Sequence, residues 1–354
     1  MSEILRSVIF LVGGLVLLLW GAHWFVEGAK YTAFKLKIPK YAFGATVVAI
    51  GTSLPEILVS SYAAFKGKVS ISVSTILGSN ILNIAFIIGL IALLFEIKKI
   101  SKTFEDHFKA KGAEGVKGSV YNPATDIPPL IASVIIFFLV SIDGKIIFFE
   151  GLLMVFMGVL FVTQMISHGK TTFLKSLEEE DIETKKLSKS FKNIVFYPET
   201  WGLFGAIFIG LILGAVFLYV GTRVAVNNAV KLAKLLKLSE WFIGATIMAF
   251  GTSAPEFVTS LIAKWKGEEE MLIGNIIGSL VINIFFAIGI AAFFRPIIVS
   301  PEVLYFDLLS YALILVFFIV CLMDLWISRV SGLFMVLFGV IYILNIHTFH
   351  PFKP

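Results

Sequence analysis

Two glutamates stand where an apolar chain has least reason to carry them. Glu56 closes the stretch Gly44-Ala-Thr-Val-Val-Ala-Ile-Gly-Thr-Ser-Leu-Pro-Glu56, and Glu256 closes Gly244-Ala-Thr-Ile-Met-Ala-Phe-Gly-Thr-Ser-Ala-Pro-Glu256. Both lie well inside apolar runs, where a carboxylate costs at least ~2.5 kcal/mol on insertion scales. Each brings oxygen donors with it. On a helix, Thr52 and Ser53 fall one turn before Glu56 on the same face. Pro55 has no N–H and crowds the carbonyl four residues back, that of Gly51. The helix is expected to loosen across Gly51–Thr52, freeing carbonyls near Ala49–Thr52. Backbone freed at membrane depth needs another partner, and a bound cation is one. Gly251, Thr252, Ser253, Pro255 and Glu256 repeat the arrangement. Downstream, Ser79 and Asn83 are four apart on one face with Gly78 ahead of them, and Ser279 and Asn283 follow Gly278 in the same way.

The donors are carboxylates, hydroxyls, amides and carbonyls, all oxygen. Such a set suits hard cations such as Ca²⁺ and Na⁺, not Zn²⁺ or Cu⁺; Mg²⁺ prefers to keep its waters. Two ionised glutamates carry a charge of −2, which one Ca²⁺ cancels. Na⁺ and Ca²⁺ have similar radii, so the same oxygens serve either. Loading both at once would leave excess positive charge at low dielectric. Mutual exclusion at one site is what an exchanger needs.

The elements that position these groups are themselves repeated. Residues 44–90 align with 244–290 without a gap, and 21 of the 47 pairs are identical, mostly Gly, Pro, Thr, Ser, Asn and Glu. Two ordinary apolar helices would share apolar character without sharing polar identity. Internal repeats with interrupted apolar helices at matching positions point to a transport site.

With 58% hydrophobic and 15% charged residues and a mean hydropathy of +0.94, the 354-residue chain reads as a membrane protein. Ten apolar runs of membrane-spanning length lie roughly at 7–28, 40–65, 70–95, 127–142, 146–168, 201–222, 240–264, 271–294, 302–323 and 326–347. The expected fold is an all-α polytopic membrane protein of ten transmembrane helices. Residues 1–168 form one five-helix repeat, 169–198 a linker and 199–354 the second repeat. Five is odd, so the second repeat enters from the opposite side and the two motifs meet near the bilayer centre. Gly14 and Gly21 recur as Gly214 and Gly221, which makes the first run part of the repeat and not a cleaved signal. Gly210 and Gly214, four apart, read as a close-packing pair. The segment Val224–Lys237 is expected to extend the sixth helix along the membrane interface.

Lys and Arg number 19 in the loops on one side and 10 on the other, which favours both termini outside and the central linker in the cytoplasm. The single cysteine, Cys321, excludes an internal disulfide and is expected to pack or to face lipid. His23 is expected to be a hydrogen-bonded packing residue. Glu178-Glu-Glu-Asp-Ile-Glu183 and the lysines after it read as solvated linker. No P-loop is present, which argues against ATP. Nothing indicates a nucleic-acid partner, a protein partner or a cofactor beyond transported ions.

The doubled pattern G-x-T-x-x-A-x-G-T-S-x-P-E followed by G-S-x-x-x-N resembles the alpha repeats of the cation/calcium exchanger superfamily, in its sodium/calcium exchanger branch. The resemblance implies that Glu56 and Glu256 are shared calcium ligands and that Thr52 and Thr252 contribute main-chain oxygens. It implies that Ala49, Ser53 and Ser79 line one outer sodium site and Ala249, Ser253 and Ser279 the other, with Asn83 and Asn283 at the centre. It also implies that the first and sixth helices move against a core built from the rest. Gly-Thr-Ser before the acidic residue favours sodium over proton coupling. Asn283, where potassium-dependent members have Asp, implies potassium independence. Two departures stand out: the Gly-Asn expected before Gly-Ser is present as Gly274-Asn275, but the first repeat has Ser74-Thr75, and both central positions are Asn. The expectation is an electrogenic Na⁺/Ca²⁺ antiporter in the cell membrane of a prokaryote. A H⁺/Ca²⁺ exchanger is the alternative, and a cation channel is disfavoured because the acidic residues form a symmetric mid-helix pair and not a ring.

Overall fold

All ten apolar runs carry helix in the computed structural model of the protein, which describes residues 3–35, 49–98, 123–177, 210, 212–265, 269–324 and 326–351. Helix α1 covers Glu3–Lys35. The second span is broken into α2 (Ala49–Thr52) and α3 (Leu54–Phe65). The third is one rod, α4 (Val69–Phe95), with a π-helical stretch over Asn83–Ile88. Helices α5 (Pro123–Ser141) and α6 (Phe148–Leu177) complete the first half. The second half follows the same plan. It contains α7 (Gly214–Leu236), α8 (240–252, π-helical over Gly244–Met248), α9 (Ala254–Trp265) and α10 (269–294, π-helical over Asn283–Ile288). Helices α11 (Val303–Met323) and α12 (Arg329–Phe349) end it.

Burial ranks these helices. In α4 and α10, 83% of the most apolar window is buried, against 28% in α1 and α12. The motif-bearing rods therefore stand at the centre, walled off from lipid. Their ends are joined across the halves by two-residue antiparallel ribbons: β1 (Ile97–Lys98) pairs with β4 (Trp326–Ile327), and β2 (Lys145–Ile146) with β3 (Ile297–Ile298). The halves also exchange packing partners. A Cβ at Gly151 of α6 would lie 2.6 Å from the Gly289 carbonyl oxygen of α10, and one at Gly332 of α12 lies 2.6 Å from that of Gly89 in α4. Two turns later, Gly158 faces the Phe286 ring and Gly339 the Phe86 ring. Each half's fifth helix thus packs on the other half's third.

Helices α1 and α7 lie backbone to backbone. A Cβ at Gly14 would sit 2.6 Å from the Ala225 amide nitrogen, and one at Gly221 would sit 2.5 Å from that of Leu18. Gly21 meets Leu218 and Gly214 likewise. Gly14 opposes Gly221 and Gly21 opposes Gly214, as two antiparallel copies of one pattern must. The seven-residue spacing of the glycines carries this contact. Helix α7 does run on past its apolar stretch, ending at Lys237 in a left-handed conformation (φ 53°). The inner face of its extension packs on the protein: Ala225, Val226, Ala229, Leu232 and Ala233 share a buried apolar cluster with Val59, Ala63, Ile71 and Met248.

Three local expectations resolve simply. Cys321 is buried in the main core. His23 is exposed and makes an edge contact with Trp24, so it is not a core residue. The first nine residues of the linker 169–198 are helical, as part of α6; the acidic run at 178–183 and most of the loop after β1 lie outside the described residues.

Candidate cation-binding site

The break in each motif helix falls at the serine. Ser53 has φ −87° and ψ 2°, and Ser253 φ −81° and ψ 6°, between two helical pieces. Thr52 and Thr252 remain the last residues of the preceding pieces, one residue before the break. The expectation that carbonyls as far back as the alanine are freed does not hold in the second repeat. The Ala249 carbonyl accepts the Ser253 N–H at 3.0 Å and the Thr252 hydroxyl at 3.3 Å. The reason is local. Proline removes only its own N–H, whose helical acceptor is four residues back at Gly51 or Gly251; the serine N–H still reaches its alanine. Pro55 and Pro255 are each the second residue of the new helix, in the first turn where a missing donor costs nothing.

Breaking at the serine turns its hydroxyl across to the other half. Ser53 Oγ donates to Glu256 Oε1 at 3.2 Å and lies 3.0 Å from Ser279 Oγ, and Ser279 Oγ also donates to Glu256 Oε1 at 3.2 Å. In mirror image, Ser253 Oγ donates to Glu56 Oε1 at 3.0 Å and Ser79 Oγ to the same oxygen at 3.4 Å. Ser79 Oγ is 3.4 Å from Thr252 Oγ1. Each glutamate is thus held by one serine of its own repeat and one of the other. Gly78 permits this crossing: a Cβ there would lie 2.6 Å from the Ala245 Cα of α8.

Glu56 and Glu256 are fully buried, and each is linked to the other repeat through a serine hydroxyl. Among the described residues no group of three or more His, Cys, Asp or Glu side chains is placed to hold a metal, so the site's formal charge comes from these two carboxylates. Among the described residues, their second oxygens, Glu56 Oε2 and Glu256 Oε2, are buried without a hydrogen-bond partner, as are the amide oxygens of Asn83 and Asn283. A buried acceptor left unpaired costs about 1–3 kcal/mol, and more when charged. Four such oxygens, two of them anionic, within one symmetric constellation are what a desolvated cation would satisfy.

The remaining candidates are placed less directly. Thr52 donates its hydroxyl to Asn275 Oδ1 at 3.3 Å, and Asn275 in turn donates to Ser260 Oγ at 3.3 Å. The first repeat has Thr75 where the second has Asn275, so Thr252 turns to Ala249 and Ser79 instead. Ala49 opens α2; its side chain lies outside the described residues. Asn83 and Asn283 each begin a π-helical stretch, a distortion frequent at functional sites.

The motif pattern had marked neither Asn80 nor Asp307. Asn80 stands opposite Leu280 in the repeat alignment, so comparing repeats hides it. Asp307, fully buried in α11, accepts from Trp241 Nε1 at 3.1 Å and the Tyr342 hydroxyl at 2.7 Å, with His350 Nε2 at 2.6 Å. The His350 ring stacks on Trp241 at 4.4 Å. This carboxylate fastens the starts of α8 and α11 to the end of α12. An acidic residue inside the ninth run was the available signal.

A family model described as "Sodium/calcium exchanger protein" matches residues 6–166 and 206–347. The chain belongs to the sodium/calcium exchanger family. Within the family's range of relatives, it is 33% identical to the putative antiporter CaxA of Alkalimonas amylolytica over 96% of this chain and 99% of that one. It is 27% identical to the sodium/calcium exchanger MaX1 of Methanosarcina acetivorans over 96% and 97%. The solved sodium-calcium exchanger NCX_Mj, soaked with Na⁺ and Sr²⁺, superposes with a TM-score of 0.62 at 25% identity, covering 97% of this chain and 99% of that one. The all-α inverted-repeat membrane fold read from the sequence is thereby that of an exchanger family, and family membership makes the protein a transporter of ions.

Proposed function

We propose that the protein exchanges Na⁺ for Ca²⁺ by alternating access to one site shared between its halves. One observation carries the reading: each repeat contributes a buried glutamate whose Oε1 is held by serines of both repeats while Oε2 has no hydrogen-bond partner. A site of charge −2 with neutral oxygens around it is neutralised by one Ca²⁺. Na⁺ ions reach the same neutrality in two steps, and a third would lie on the hydroxyl and amide oxygens that flank the carboxylates.

By this reading Glu56 and Glu256 hold the divalent ion between them. Ser53, Ser79, Ser253 and Ser279 orient the carboxylates and contribute oxygens to the flanking sodium positions, with Thr52, Thr252, Ala49 and Ala249 beside them. Asn83 and Asn283 supply amide oxygens at the centre, and Asn283 makes potassium unnecessary. The glycine-faced α1–α7 pair is the element that moves. By the positive-charge bias, both termini are outside a prokaryotic cell membrane.

The test is Ca²⁺ uptake into proteoliposomes under an outward Na⁺ gradient. Uptake is expected, rising with inside-positive potential, since three Na⁺ leave for each Ca²⁺ that enters, at about 2.3 kcal/mol per charge per 100 mV, and unchanged by K⁺. Uptake driven by a pH gradient without Na⁺ would establish the proton-coupled alternative. Voltage-insensitive uptake would leave a two-sodium, neutral cycle.

A further inference from the structure

The two halves of the site are not equal, and the inequality lies in how the central amides are held. Asn80 Nδ2 donates to the Leu280 carbonyl oxygen at 3.1 Å. A carbonyl can only accept, so this bond fixes which way the Asn80 amide faces. Its Oδ1 is then the end turned to Asn283, and it accepts Asn283 Nδ2 at 3.0 Å. With its N–H₂ thus engaged, Asn283 has its Oδ1 as its remaining polar atom, and that oxygen is buried and unpartnered. One backbone carbonyl therefore sets the direction of two amides in sequence. The first repeat has no counterpart. The position matching Asn80 is Leu280, and both Oδ1 and Nδ2 of the fully buried Asn83 have no hydrogen-bond partner among the described residues.

We propose that Asn80 is a positioning residue that locks Asn283 as a permanent oxygen ligand and leaves Asn83 as a reversible one. Asn283 presents oxygen to the site whether or not an ion is there. Asn83, with neither end of its amide hydrogen-bonded among the described residues, turns its oxygen to the site only when a cation draws it. Pre-orienting a ligand raises affinity by removing its ordering cost from binding. The inference rests on the reading of the site as a Na⁺/Ca²⁺ site.

The experiment is a double-mutant cycle on the full-length purified protein. Na⁺-driven Ca²⁺ uptake gives KM and maximal rate, and Ca²⁺-dependent thermal stabilisation gives apparent affinity. The principal variant is Asn80→Leu, which places in the first repeat the residue the second already carries; Asn80→Ala serves if Asn80→Leu does not fold. The expected result is a roughly tenfold weaker Ca²⁺ affinity and higher KM with maximal rate within about twofold. The effect should vanish in an Asn283→Ala background and persist in full in an Asn83→Ala background. An equal penalty with and without Asn283 would mean Asn80 acts only through packing and would overturn the proposal, as would unchanged affinity in Asn80→Leu. Ca²⁺ binding with this coupling but without uptake in the wild type would sink the exchange reading and leave the positioning role standing.

Discussion

Glu56 and Glu256 differ from every other polar residue of the two motifs in keeping one oxygen without a partner while the other has two. On the proposed reading, that division of labour leaves the charge, and not the hydrogen bonding, as the part of the side chain that binds. Glu56→Gln and Glu256→Gln keep the shape and one acceptor oxygen and remove the charge. Each is expected to reduce Ca²⁺ transport by at least a hundredfold while thermal stability of the ion-free protein holds or rises, since an uncompensated buried charge is relieved. Normal flux in either variant would exclude a two-carboxylate site. Asp307 is the opposite case: its hydrogen bonds are complete and it belongs to the scaffold. Asp307→Ala leaves the Trp241, Tyr342 and His350 donors unsatisfied and is expected to cost roughly 3 kcal/mol or more of stability, against about 1 kcal/mol for Tyr342→Phe. Unfolding in detergent, followed by tryptophan fluorescence, measures both. A similar small loss for the two variants would show that the network does not act as a unit.

At the scale of elements, the glycine contact between α1 and α7 makes the clearest demand. Gly14→Leu puts its Cβ 2.6 Å from the Ala225 amide nitrogen, and no rotamer avoids that, because the Cβ position is fixed by the backbone. Exchange is expected to fall more than tenfold while Ca²⁺ still stabilises the protein thermally, because the site lies in α2–α4 and α8–α10. Exchange within twofold of wild type would mean the pair need not stay in contact. The helices themselves were legible from hydropathy, and the glutamate–serine–asparagine set from the doubled motif. The point of rupture was displaced from Gly51–Thr52 to Ser53, because proline chemistry names the acceptor that is lost and not the residue that absorbs the turn. The π-helical stretches at Asn83 and Asn283 were not legible, since one extra residue in a turn barely disturbs an apolar pattern in a helix buried on all sides. Asn80 was hidden for a different reason: identity between repeats finds what the halves share, and Asn80 is what they do not.

At the scale of the whole molecule, the halves are interwoven. The fifth helix of each packs on the third of the other through glycine, and the ribbons β1–β4 and β2–β3 join them at helix ends. Two-residue strands have no periodicity, so nothing in the sequence announces them. Facing residues of an antiparallel pair have Cα atoms about 4.5–5.5 Å apart, within disulfide range. With Cys321 replaced by Ser, oxidising Ile97→Cys/Ile327→Cys should form a cross-link and leave Na⁺-driven Ca²⁺ uptake within about twofold. A cross-link that stops uptake would mean the ribbon opens during transport.

Seen from the lipid, this stitching has a further consequence. Halves fastened together cannot draw apart, so under the proposed movement of α1 and α7 the area the protein occupies in the bilayer varies only by what that pair sweeps. Little work is then done against the lateral pressure of the surrounding chains as the site changes sides. Turnover should respond to voltage, which acts on the charges in the site, and hardly at all to membrane tension.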